Sequence, residues 1–199
     1  MGILDKAIAA VTPMASDEKR VEAHANARAA SKGNDWLGTL LDHHEQIEAA
    51  FDAVRSSINA DERREAQQEL ALLLTAHSVA EENVLYPALA QVDEAHHATM
   101  AYTEQSAAKM QLGLLEYLDP MSEEYMDKFE HLRGAVLQHV YQEESSWFIE
   151  LKDKAEDPGF LTQRYLEEFS RHYDQDEAGS AMNGGALGER TGARPLTPM

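Results

Sequence analysis

Cysteine is absent from this 199-residue chain, which removes disulfides, cysteine-ligated zinc or iron–sulfur sites and thiol catalysis from consideration. Any metal must then be held by nitrogen and oxygen ligands. Glycine and proline are scarce between residues 35 and 155, where Ala, Leu, Glu, Gln and Lys dominate, so helix is expected throughout that span. Strand alternation is missing there. Positive charge is the third shortage: 17 Lys and Arg face 36 Asp and Glu, a formal net charge of −19. Such a chain repels nucleic acid and anionic lipid and attracts cations, so neither a nucleic-acid nor a membrane partner is expected. No apolar run approaches the roughly 18 residues of a membrane span, and the N-terminus lacks a basic region followed by an apolar stretch and a cleavage site. The cytoplasm is the expected address.

What is present is helical periodicity. A first helix, capped by Asn34 or Asp35, carries Leu37, Leu40, Leu41, Ile47, Phe51, Val54 and Ile58 on one stripe. A second, capped by Asp61, carries Leu70, Leu73, Leu74, Val84, Leu85 and Ala88, with Pro87 near its end. A third runs from about Asp93 to Tyr117 and stops at Asp119-Pro120. Ser122 caps a fourth that aligns Met126, Phe129, Leu132, Val136 and Trp147 and ends at Asp157-Pro158-Gly159. The expected fold is all-α, an up-down-up-down antiparallel four-helix bundle over residues 34–156. Residues 1–33 form an N-terminal helical extension, with helices near 3–11 and 16–31. Residues 157–176 form a C-terminal helix, and 177–199 a low-hydrophobicity tail expected to be disordered.

Three gaps in these stripes are filled by polar residues. His44, His77 and His139 each have a glutamate four residues later, Glu48, Glu81 and Glu143, and four residues is about one helical turn. Imidazole and carboxylate are costly to bury unless paired or bound to a cation, and together they suit iron, manganese or zinc. One such pair is a weak motif, usually a solvated helix face; three on three apolar stripes point to a metal site inside the bundle. His43, about 100° around the helix from His44, is expected at the core edge, surrounding a ligand or at the surface. Glu82 and Glu144 read as solvated flank charges, His24, His96, His97, His131 and His172 as surface or boundary residues, and Trp36 and Trp147 as packing. On the third helix the inward stripe offers Tyr102, Gln105 and a Glu104 that can turn inward, a phenol and an amide where the other helices offer imidazoles.

The segments LLDHHEQIEAAF, HSVAEENVLYPAL and HVYQEES resemble the hemerythrin-like domains, also called HHE cation-binding domains, across about residues 35–155. The resemblance implies a four-helix bundle holding two non-haem irons, oxo- and carboxylate-bridged, with His44, His77, Glu81, His139 and Glu143 as ligands and the two glutamates bridging. Zinc and manganese are the alternative metals. Tyr102 and Gln105 stand where the family often has histidines, a departure that bears on two equivalent irons and on reversible oxygen carriage. Ferritin-like Glu-x-x-His is not found at His77 or His139, and His44-Glu45 is not followed by the histidine of a zinc protease. The expected function is binding or sensing of a small oxidant, oxygen, peroxide or nitric oxide, in the setting of oxidative stress. The alternatives are catalase- or peroxidase-like turnover with Tyr102 as donor, and a storage or structural role in which the acidic surface or the C-terminal tail docks a protein.

Overall fold

The computed structural model describes residues 14–92 and 94–184. These form α1 (Asp17–Ala30), α2 (Trp36–Ser56), α3 (Ala60–Ala80), α4 (Tyr86–Gln91), α5 (Ala95–Leu115), α6 (Glu123–Gln142), α7 (Phe148–Lys154) and α8 (Pro158–Gly184), with no strand among the described residues. Single π-helical turns, Glu81–Leu85 and Glu143–Trp147, join α3 to α4 and α6 to α7, so each pair is one long helix with one wide turn.

Helix α2 begins where the Asp35 side chain accepts the Gly38 N–H at 2.9 Å, and α6 where Ser122 accepts that of Tyr125 at 3.1 Å. Helix α3 is capped two residues earlier than Asp61, by Asn59, whose side chain accepts from Glu62 N. Ile58 consequently falls in the α2–α3 connection and is exposed. Asp35 also accepts the Lys32 amide and pairs with Lys152 of α7. Partial burial opposes its ionisation, but Lys152 and the two amides outweigh this and hold its carboxyl below the usual range. A group depressed in the folded state contributes stability above its ordinary pKa and loses it as pH falls through the folded value. Asp35→Ala should therefore cost about 1–2 kcal/mol near neutral pH, with a smaller difference from the parent at pH 3. Urea unfolding at both pH values checks this; an equal difference at both would refute it.

Pairings fix the direction of each helix. His44 meets His77, and Arg63 at the start of α3 donates to the Ser57 carbonyl after α2. Arg64 reaches the Leu115 carbonyl while Lys109 pairs with Glu82; Glu104 pairs with His139; Arg55 and Asp52 pair with Glu130 and Arg133. Between α2 and α3, α3 and α5, and α2 and α6 sequence numbers rise on one helix and fall on the other, so α2, α3–α4, α5 and α6–α7 form an antiparallel bundle. One apolar cluster, including Phe51, Leu70, Leu112 and Phe129, fills one end; another, including Trp36, Tyr86, Leu89 and Phe148, fills the other. The polar His/Glu cluster lies between them. Outside the bundle, α1 packs on the second π turn, and α8 packs on α2 and α3. Helix α8 continues past residue 176 to Gly184, beyond the expected start of the tail. The expected helix at 3–11, and the rest of the tail, lie outside the described residues.

Candidate metal centre

The four expected positions on the bundle's long helices, together with Glu81 and Glu143, do not behave alike. His44, His77, Glu81 and Glu143 are buried and present ligand atoms that all lie within 4.8 Å of one another. His139 is also buried, but its Nε2 faces the Tyr86 hydroxyl at 3.0 Å and Glu143 Oε1 at 3.2 Å. Glu48 is exposed and points away from this cluster. The reason is the placement of α8, which covers the other side of α2. His43 stacks on Phe169 with ring centroids 3.8 Å apart and meets the Tyr165 hydroxyl at 2.9 Å, so the buried stripe of α2 turns toward His43 and leaves Glu48 outside.

The carboxylate that accompanies His44 comes instead from another helix. Glu144, expected to be solvated, is 3% exposed and accepts from His44 Nδ1 at 2.8 Å. His24 of α1 holds the same oxygen at 2.9 Å through Nδ1 and meets Glu45 through Nε2 at 3.0 Å, so it is not a plain surface residue. Glu82 is half-buried and paired with Lys109. Tyr102 also departs from its expected place: its hydroxyl donates to the Glu82 carbonyl at 2.6 Å and its ring is 38% exposed. Glu104 does turn inward, with Oε2 2.8 Å from His139 Nδ1, and Gln105 is buried with Nε2 donating to Glu81 and to Tyr86. His97 stacks on Trp147 and pairs with Glu94.

Tyr86 is the central residue that periodicity did not reveal. It is fully buried, and its hydroxyl donates to Glu143 Oε1 at 2.9 Å and Glu81 Oε2 at 3.2 Å. In a regular α-helix a residue five positions on points about 140° away. The π turn between them closes on the Tyr86 N–H donating to the Glu81 carbonyl, and this wide turn returns Tyr86 to the face of Glu81. The second π turn has the same relation, with the Phe148 N–H donating to Glu143 O, and puts Phe148 against Tyr86 and Trp36. A signal was available: His77 and His139 each begin the string His-x-x-x-Glu-Glu, with an aromatic residue nine positions after the histidine, Tyr86 and Phe148.

Each histidine is oriented alike. Nδ1 is held from outside, by Glu144 for His44, Tyr165 (3.2 Å) for His77 and Glu104 for His139, while Nε2 faces inward. This is how second partners set the tautomer of a metal-binding imidazole. Electrostatics reinforces the pairing. Burial disfavours charge on His44, but hydrogen bonds to Glu143 and Glu144 outweigh it and raise its pKa to about 10. Burial likewise opposes charge on His139, and the Glu143 and Glu104 carboxylates drive it well above the usual value. Glu143, which burial would push up, is held well below the carboxylate range by His139 and His44. Burial, with His77 and His44 nearby, lowers His43 to about 3, so it is neutral. Tyr86 and Tyr165 are pushed up by burial and by the glutamates, and remain protonated.

The donor set fits a cation. His44 Nε2, Glu81 Oε1 and Glu143 Oε2 are buried and make no well-aligned hydrogen bond among the described residues, facing only one another and His77 Nε2 as ion-pair contacts of 3.2–3.4 Å. Leaving such atoms unsatisfied is costly, and a cation among three convergent lone pairs and the adjacent His77 would satisfy them together. The residues present can therefore hold a metal through two imidazoles and two carboxylates.

No solved structure matches the chain. A protein of Nostoc sp. (strain PCC 7120 / SAG 25.82 / UTEX 2576) described as a DNA nickase is 30% identical over 110 residues. That stretch is 55% of this chain and 31% of the Nostoc protein, so the similarity spans under a third of the relative's length. The model of the hemerythrin HHE cation binding domain matches residues 37–151, which include His44, His77, Glu81, Tyr86, His139 and Glu143. With the match covering more than half of its length, the chain belongs to the hemerythrin HHE cation-binding domain family.

Proposed function

We propose that the protein holds a non-haem iron centre that engages a small oxidant, oxygen, peroxide or nitric oxide. The observation that carries this reading is the convergence of His44, His77, Glu81 and Glu143, three of whose buried inward-facing atoms make no well-aligned hydrogen bond among the described residues. A second cation would draw on His139 together with Glu81 and Glu143, whose facing atoms the Tyr86 hydroxyl contacts. Iron bound there would supply redox chemistry toward the oxidant; the surrounding residues do the rest. Glu144, Tyr165 and Glu104 orient the three imidazoles, and the two apolar clusters exclude bulk water. Tyr86 keeps its proton between Glu81, Glu143 and His139.

Elemental analysis of untagged protein from iron-supplemented cells tests the reading. About two irons per chain are expected. One iron would limit the centre to the four-residue set; zinc alone or no metal would overturn the redox function. Tyr86 favours a second reading, peroxidase-like turnover, in which this phenol takes the donor role first given to Tyr102. Peroxide consumption by the iron-loaded protein should then fall at least tenfold in Tyr86→Phe, and negligible consumption by the parent would leave binding or sensing. The relative's DNA activity is not carried over, since the shared segment is a minor part of that protein and this chain's charge opposes phosphate contact. Among the described residues no helix is long and apolar enough to cross a membrane, and we place the protein in the cytoplasm.

A further inference from the structure

A second group of metal-ligating side chains lies where α7 meets the start of α5. Glu94, the residue before α5, caps nothing with its side chain; His97 follows three residues on, and Glu150 comes across from α7. One ligand atom of each lies within 4.8 Å of the other two. Unlike the buried cluster, all three residues are half-buried, so cations reach them from solvent.

His97 is held in place by stacking on Trp147, with ring centroids 5.6 Å and planes 23° apart. Its Nδ1 stands 3.1 Å from Glu94 Oε2, yet that nitrogen is buried and makes no well-aligned hydrogen bond among the described residues. Two atoms each about 2.0–2.1 Å from one tetrahedral zinc stand about 3.3 Å apart, so this pair already has nearly the separation of two ligands of one ion. The other Glu94 oxygen, Oε1, takes Lys154 Nζ at 2.9 Å, and the same ammonium is 3.8 Å from Glu150 Oε2. Lys154 and the adjoining Glu150 carboxyl hold Glu94 below the usual carboxylate range. The place thus draws positive charge already, in a chain of formal charge −19.

We propose that Glu94, His97 and Glu150 form a separate, solvent-accessible zinc site, with water completing the coordination. One imidazole with two carboxylates selects a borderline first-row ion over magnesium or calcium, which prefer oxygen alone. Lys154 is the competitor of that ion. Trp147 also meets the His139 ring at 5.8 Å, so one indole links this site to the buried centre, but zinc binding here does not depend on what that centre holds.

Zinc calorimetry on the full chain tests the proposal, with His97→Gln and Glu150→Gln each set against the parent. Each variant should take up one zinc fewer per chain, or bind that zinc at least tenfold more weakly, while uptake by the buried centre is unchanged. Lys154→Gln should bind it at least threefold more tightly, because the competing charge is gone. An ion-pair network that only fastens α7 to α5 would gain nothing from that change. Zinc uptake and affinity within tenfold of the parent in Glu150→Gln, no tightening in Lys154→Gln, or magnesium bound at this site as tightly as zinc would each overturn the proposal. His97→Gln also removes the stack on Trp147, so should that variant not fold, Glu150→Gln and Lys154→Gln decide alone.

Discussion

Glu143→Gln should lower metal affinity at least about 100-fold while leaving the bundle folded. The amide keeps the shape of the side chain and an oxygen for the Tyr86 hydroxyl, so packing around this fully buried position changes little. What it removes is the charge that His44 and His139 share, 3.4 and 3.2 Å away. A neutral amide oxygen is a weaker ligand for a hard cation than a carboxylate, and Glu81 would be left as the only anion in the four-residue set. The pH dependence should change with it. In the parent, His44 holds a proton up to about pH 10 on the strength of Glu143 and Glu144, and a metal must displace that proton. Affinity should therefore rise by about tenfold per pH unit between pH 7 and pH 10, and less steeply in Glu143→Gln, where one of the two carboxylates is gone. Chelator competition at several pH values measures both effects. Unchanged metal content in the variant would remove Glu143 from the ligand set.

The parts of this centre that sequence made visible are those governed by regular helix geometry. A spacing of four placed Glu81 with His77 and Glu143 with His139, and the capping residues Asp35 and Ser122 located two helix starts. Each misreading has a cause outside that geometry. Glu48 satisfied the spacing, but which side of α2 is buried depends on α8, more than a hundred residues later in the chain, whose Tyr165 and Phe169 draw His43 inward. Glu144 looked solvated because the imidazoles that bury it belong to α1 and α2, at His24 and His44. Tyr86 was hidden by the π turn, since an α-helical projection aims it elsewhere. Tyr102 sat on the expected stripe of α5, yet its hydroxyl donates to the Glu82 carbonyl inside that same wide turn.

Tyr165→Phe should weaken metal binding by about 10–100-fold, although the residue touches no position within the matched domain's ligand set except from behind. Tyr165 lies in α8, outside residues 37–151, as does His24 in α1. Both reach over the domain boundary to the outer nitrogens of the site: Tyr165 to His77 Nδ1, and His24 through Glu144 to His44 Nδ1. The Tyr165 hydroxyl also meets His43 Nδ1, and because His43 is neutral it can accept the phenol proton while His77 Nδ1–H donates to the phenol oxygen. That relay leaves the His77 Nε2 lone pair facing the centre. Phenylalanine retains the buried ring and the helix packing, so unfolding stability should fall only about 1–2 kcal/mol from the lost hydrogen bonds. A purely structural Tyr165 would shift the melting temperature of metal-depleted protein and leave chelator-competition affinity as in the parent, and that outcome would refute the positioning role. His24→Ala should show the same signature more weakly, because His24 is only half-buried and acts one carboxylate further from the ligand atom. If both variants behave so, the extensions are part of the metal centre, and a bundle trimmed to residues 37–151 should bind metal less tightly than the full chain even where it folds.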